Sequence, residues 1–191
     1  MLDSVLKRLV APVLARGTQP LVRLGAHADF VSVVGCLVGL AAIPAIARHV
    51  YWLGLVLLLL NRLIDALDGA VARQSRARGR GAFLDMTLDL IVFAGLPFAF
   101  ALGDPSRGLA ASFFVFAIAA RGASSVFLAT LPGDSLFTFV GRIMEDTELT
   151  LAFAVACIRP DWFSTIAYVG GALCFITAGS RIAFAAGRTE P

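Results

Sequence analysis

The stretch NRLIDALDGAVARQSRARGRGAFLDMTLD, Asn61 to Asp89, decides how this chain is read. It holds four aspartates, Asp65, Asp68, Asp85 and Asp89, in a sequence whose other parts are mostly apolar. Asp65 and Asp68 stand three apart, with Gly69 and Ala72 four and seven residues beyond Asp65, positions that share one face of a helix. Gly81, Asp85 and Asp89 repeat every fourth residue and line one face of a second helix. Two such helices present two acid pairs to each other, with small residues beside them. Like charges about 4 Å apart cost about 4 kcal/mol at an effective dielectric near 20. A cation is therefore required between them, and an all-oxygen acidic cluster suits Mg²⁺ or Mn²⁺.

Around this stretch the chain is built for a membrane. Of its 191 residues 59% are hydrophobic and 15% charged, with a mean hydropathy of +0.85. A soluble domain of this size has no interior large enough for that much apolar surface. The expected class is an all-α polytopic membrane protein, one domain over residues 1–191. Cys36, Cys157 and Cys174 lie in apolar runs without metal-ligand spacing and read as packing residues. The net charge of +3 comes from 15 arginines and one lysine and fits a cytosolic membrane face, not a nucleic-acid groove.

Six transmembrane helices are expected. Phe30–Ala47 is uncharged, with Pro44 a place for a kink and Arg48 and His49 its end. The second begins near Val50, with Tyr51 and Trp52 as interfacial aromatics, and keeps helical periodicity through the acidic motif to about Arg73. The third covers about Gly81–Leu102, and the short arginine-rich loop before it makes helices two and three antiparallel neighbours. The fourth runs from about Leu109 to Leu131, broken only by Arg121. The fifth begins near Gly141 and carries the apolar run Leu149–Ile158, and the sixth spans about Trp162–Ala186. Ahead of them, within residues 1–25, Leu2, Val5, Leu6, Leu9, Val13 and Leu14 gather near one face, as in an amphipathic helix lying on the bilayer.

Positive charge sets the orientation. Lys7, Arg8, Arg16, Arg23, Arg73, Arg76, Arg78, Arg80, Arg142 and Arg188 fall on one side, and Arg48, Arg107 and Arg159 on the other. Ten against three places both termini and the acidic motif on the cytosolic side of a multi-pass membrane protein.

The pattern Asp65-x-x-Asp68-Gly69-x-x-Ala72-Arg73, then Gly81-x-x-x-Asp85-x-x-x-Asp89, resembles the signature of the CDP-alcohol phosphatidyltransferases. At about 5–7% usage per residue type, eight fixed identities arise by chance on the order of 10⁻¹⁰ per start. Two departures stand out: seven residues between Arg73 and Gly81 where eight are usual, and Leu90 after Asp89 where many members carry lysine. The first falls in a polar, glycine-containing loop that absorbs a deletion; the second leaves the acceptor alcohol open.

The resemblance implies transfer of a phosphatidyl-type group from CDP-diacylglycerol, or a similar CDP-linked donor, to a small or lipid alcohol, with release of CMP. It makes Asp65, Asp68 and Asp85 ligands of two divalent cations, Mg²⁺ or Mn²⁺, with Asp89 ligating the second and acting as the catalytic base. Gly69, Ala72 and Gly81 would admit the donor nucleotide against backbone, although small residues also permit close helix packing. Arg73 would pair with a donor phosphate, or simply belong to the positive cytosolic face. Asn61, one turn before Asp65, reads either as a hydrogen-bonding support for a metal ligand or as a packing amide. Arg121 needs an anion, which is an acceptor phosphate by the resemblance and otherwise Glu145 or Glu148. Arg181 and His27 read as interface residues. A homodimer is likewise implied by the resemblance alone. Two other classes compete: a cation-coupled transporter, which lacks the expected internal repeat, and a non-catalytic membrane scaffold, which intact acids disfavour.

Overall fold

The computed structural model describes residues 28–72, 80–129 and 143–186, with side chains over 30–67, at 84, and over 86–126 and 143–186. Among the described residues are six α-helices and two short 3₁₀ turns, with no strand. The helices are α1 (Ala28–Ala47), α2 (Tyr51–Ala72), α3 (Arg80–Gly103), α4 (Gly108–Ala129), α5 (Asp146–Ile158) and α6 (Phe163–Ala186). The amphipathic segment expected within residues 1–25, His27, Arg73 and the connection 130–142 lie outside the described residues.

Among the described residues four helical stretches are long and apolar enough to cross a membrane: Phe30–Ala47, Met86–Gly103, Pro105–Val126 and Pro160–Ala186. The expected six crossings are met by length and composition for these four. In α2, Arg62, Asp65 and Asp68 interrupt the apolar run. In α5, 13 residues at 1.5 Å each reach only about 20 Å, short of a hydrocarbon core near 30 Å.

Local chemistry ends α1 sharply. His49 takes the left-handed conformation, φ 61°, in place of the usual glycine. Its N–H donates to the Ile46 carbonyl at 2.9 Å and the Val50 N–H to the Ala45 carbonyl at 2.9 Å, the two bonds of a Schellman motif. The cost of a side chain in that conformation is offset by a 2.8 Å hydrogen bond between the imidazole and the Tyr51 hydroxyl. At the same end of the bundle, Asp104 caps the turn Pro105–Arg107 by accepting from the Ser106 N–H at 3.0 Å and hydroxyl at 2.6 Å. Those bonds, with Arg107 beside them, hold its carboxyl below the usual carboxylate range.

The helices close into a ring in the order α1, α3, α4, α6, α5, α2. Phe153 of α5 points inward between Phe93 of α3, 6.4 Å away, and Phe114 of α4, at 5.2 Å. Phe100 of α3 stacks on Phe163 of α6 at 4.2 Å, and Leu58, Leu96, Ile118 and Leu149 fill the space between. Leu37, Trp52, Phe98, Phe116, Val169 and Ile182 are exposed. Apolar side chains facing outward on helices of this length suit a hydrocarbon surround.

Helix α1 is the close neighbour of both acid-bearing helices, whereas the described backbones of α2 and α3 scarcely approach each other. Gly35 and Gly39 make this possible. A Cβ on Gly39 would lie 2.8 and 2.9 Å from the Val92 methyls and 3.0 Å from Asn61 Cγ. Valine is stiff at χ1 and cannot swing aside cheaply. Gly39→Ala is therefore expected to destabilise the protein by about 1–3 kcal/mol, seen as a lower melting temperature in detergent. Gly179→Ala in α6, where no atom of the described residues lies within 4 Å of the added Cβ, is the control. It should be neutral or stabilising by about 0.5–1 kcal/mol. Equal melting of the two variants would show that the glycine face does not set this packing.

Candidate active site

Asp65 on α2 and Asp89 on α3 face a common cation, and that cation is Arg62. Its Nη1 lies 3.4 Å from Asp65 Oδ2 and 3.1 Å from Asp89 Oδ2, while its Nη2 donates to Asp89 Oδ1. Nε and Nη2 also donate to Asn61 Oδ1, at 3.0 and 2.8 Å. A guanidinium has five N–H donors, and these contacts occupy all of them. Beneath it, the Phe93 ring centroid is 4.8 Å from the guanidinium carbon, a cation–π contact. Asn61, 2% exposed, anchors the group to α1 by donating to the Gly35 carbonyl at 2.8 Å. The sequence leaves Asn61 between a packing amide and a support for a metal ligand. Here it packs on α1 and reaches the two aspartates through Arg62.

Two contacts give the relative direction of α2 and α3. Tyr51 stacks on Phe100 with ring centroids 5.8 Å apart, and Arg62 meets Asp89, so the helices run antiparallel as expected, but over the described residues each packs on α1 and they are not the direct neighbours the short loop suggests. Gly69 and Ala72 fall in the last turns of α2, and Gly81 in the first turn of α3. The side chains of Asp68 and Asp85, with all of Arg73, lie outside the described residues. Between the described parts is a cavity of about 10 Å³ lined by Ser32, Cys36, Asn61, Asp65 and Asp89 among others, room for a water-sized occupant. Among the described residues no three His, Cys, Asp or Glu side chains gather as a metal site. The described donors are thus one pair of carboxylates, hard oxygen ligands of the kind Mg²⁺ and Mn²⁺ take, around a space of that size.

A second charged group lies beside the first. Arg121 of α4 is 8% exposed, and its Nη2 donates to Asp146 Oδ1 at 2.9 Å. Its Nε is buried and has no hydrogen-bond partner among the described residues. Arg181 of α6, 9% exposed, donates to the Ser125 hydroxyl and reaches the Arg121 carbonyl at 3.4 Å. A Cβ on Gly122, next to Arg121, would touch Leu90, next to Asp89, at 2.8 Å. Asp146 also acts electrostatically on both Arg62 and Asp89. The two groups therefore share one end of the bundle.

Sequence reasoning passes over Arg62 and Asp146, and gives Arg181 no place in the site. Arg62 has a signal: a lone charge in the apolar part of a helix, three residues before an aspartate, calls for anions on its own face. Arg121 finds its acid one position from those expected. Glu145 caps α5, and Glu148 accepts from the Glu145 N–H at 3.2 Å, so both serve the helix start.

The model of the CDP-alcohol phosphatidyltransferase family matches residues 26–177, most of the chain and all of this site. The chain belongs to that family. Its relatives agree. An inner membrane protein of Escherichia coli, YnjF, is 36% identical over 193 residues, covering 95% of this chain and 94% of its own. An archaetidylinositol phosphate synthase of Methanothermobacter thermautotrophicus is 41% identical over 80 residues, 41% of each chain. No solved structure matches. Membership makes the chain one of a family of transferases, and the apolar helices with the first relative make it a membrane protein.

Proposed function

We propose that the protein transfers a phosphatidyl-type group from CDP-diacylglycerol, or a close CDP-linked lipid, to an alcohol. One observation carries this reading: the full run from Asp65 to Asp89 lies inside the family match, with Asp65 of α2 and Asp89 of α3 both held by Arg62. In the reaction the alcohol oxygen attacks the phosphorus that bears the lipid. The bond from that phosphorus to the bridging oxygen breaks, CMP leaves with that oxygen, and the hydroxyl proton passes to Asp89. Asp65, Asp68 and Asp85, with Asp89, would hold two divalent cations. Such ions, when bound, supply positive charge to the pyrophosphate as negative charge grows on the departing CMP. Gly69, Ala72 and Gly81 would let the nucleotide approach backbone, and Arg73 would meet a donor phosphate. We place the site and both termini in the cytosol, with six crossings, an amphipathic segment at 1–25 and a homodimer as the working unit.

Arg121 is proposed to bind a phosphate on the acceptor, with Arg181 beside it. The support is the buried Nε with no hydrogen-bond partner among the described residues, in a residue whose neighbour Gly122 packs against Leu90, next to Asp89. A relative named for making archaetidylinositol phosphate, a lipid with a phosphorylated headgroup, fits such an acceptor.

The test is release of CMP from CDP-diacylglycerol by the purified protein, screened against glycerol phosphate, inositol phosphate, serine and inositol. Release should depend on one of these alcohols, and a protein inert with all CDP-linked donors would end the reading. With the preferred acceptor, Arg121→Ala should raise its KM by about ten-fold or more while the donor KM stays put, because a lost charge-assisted bond is worth about 1.5–3 kcal/mol. If Arg121→Ala and Asp146→Ala both lower the melting temperature and neither changes the acceptor KM, the pair is structural and the acceptor phosphate binds elsewhere.

A further inference from the structure

Arg62 has no role in the scheme above, yet it touches Asp65, Asp89, Asn61 and Phe93 together. Its fork holds both oxygens of Asp89, so that carboxylate cannot rotate without breaking two bonds. Asn61 and the Phe93 ring fix the fork in turn, and Asn61 is tied to the α1 backbone. Asp89 is thereby referenced to α1 and α2, although it stands on α3. The guanidinium is also a charge that the site cannot lose, since arginine keeps its proton throughout the working pH range.

We propose that Arg62 is a positioning residue that clamps Asp89 and, as the site's own cation, makes its full complement of divalent ions conditional on the donor's diphosphate. This rests on the reading of the four aspartates as metal ligands. The charge count gives the argument. Asp65, Asp68, Asp85 and Asp89 carry four negative charges, and Arg62, beside two of them, removes one. One divalent cation leaves the group at minus one. A second would take it to plus one, which is opposed within a few ångströms of a fixed guanidinium. The doubly charged diphosphate of a CDP-linked donor restores it to minus one. Without Arg62 the second ion would bring the acids only to neutrality, and it would need no donor.

The experiment is calorimetric titration of the detergent-purified protein with Mn²⁺, alone and with saturating CDP as the soluble diphosphate probe. In the wild type, CDP should tighten the weaker Mn²⁺ site ten-fold or more. Arg62→Gln, which keeps two donors but no charge, should bind Mn²⁺ at that site about ten-fold more tightly without CDP, and the CDP effect should shrink. Unchanged or weaker Mn²⁺ affinity in Arg62→Gln would overturn the charge role. Arg62→Lys keeps the charge but not the fork. It should hold wild-type Mn²⁺ affinity and the wild-type donor KM while kcat falls ten-fold or more. A wild-type kcat in Arg62→Lys would overturn the clamp, and this variant decides the matter if Arg62→Gln does not fold. A different result marks failure of the metal reading itself: a wild type whose Mn²⁺ binding is absent, or untouched by Asp65→Asn.

Discussion

Asp65→Asn should reduce turnover at least a thousand-fold, and a chelator should do the same to the unaltered protein until Mg²⁺ or Mn²⁺ is restored. The substitution keeps the side chain's shape and removes its charge. Asp65 meets Arg62 at 3.4 Å, and its side chain is 29% exposed. Losing that contact costs little stability, since partly exposed pairs are worth about 0–1 kcal/mol. Arg62 keeps the fork to Asp89 and both bonds to Asn61. The fold is therefore expected to survive, with a melting temperature close to that of the parent. What goes is a ligand of the ions proposed to neutralise the pyrophosphate. Metal stabilisation of a transition state is worth several kcal/mol, and each 1.36 kcal/mol is a factor of ten in rate. The measurements are CMP release and a melting curve for each protein, with calorimetric Mn²⁺ binding. Full activity in chelator, or in Asp65→Asn, would refute a metal-dependent transfer.

The helices are legible because lipid imposes a simple rule. A spanning segment must be apolar over a fixed length, so Phe30–Ala47 marks nearly all of α1 (Ala28–Ala47), and Gly81–Leu102 nearly all of α3 (Arg80–Gly103). The order of the helices in space obeys no such rule. That α1 lies against both acid helices depends on Gly35 and Gly39, and glycine in an apolar run reads equally as composition or as contact. The limits of α5 are harder to read because acids and apolar residues adjoin there. The sequence suggests a start near Gly141, and the described helix begins at Asp146.

In the site, identity is legible and partnership is not. The acids stand at spacings that a helix turns into one face, so Asp65 and Asp89 can be named from sequence alone. Arg62 pairs with Asp89 from 27 residues away, and nothing in the spacing along α2 points to a residue on α3. Counting arginines in loops to set orientation also passes over those inside helices, and Arg62, Arg121 and Arg181 are all of that kind. For Arg121 the helix start decides the partner. Glu145 is the residue that caps α5, and Asp146, the first residue inside it, is the one that reaches the guanidinium.

Asp89→Asn should lower turnover by about 10²–10⁴ while leaving CDP-lipid binding nearly intact, the loss typical of a missing general base. The attacking hydroxyl must give up its proton to a group within about 2.6–3.2 Å. Asp89 stands eight residues beyond Gly81, about 12 Å along the axis at 1.5 Å per residue. If Gly81 borders the nucleotide, Asp89 lies towards the side from which an acceptor enters, close to Arg121. Arg62 occupies one direction on each Asp89 oxygen, and a carboxylate offers about four, so the fork does not exhaust its capacity to take a proton. Asparagine retains one acceptor oxygen and turns an amide donor towards the other arm of Arg62. The variant thus loses the base and half of the clamp together. Asp89→Glu separates these effects, because it restores a base at a shifted position and should recover part of the rate. Single-turnover rates and calorimetric donor affinity for both variants give the answer. Collapse of donor binding with the rate would make Asp89 chiefly a metal ligand, and a rate barely changed in Asp89→Asn would place the base on another residue.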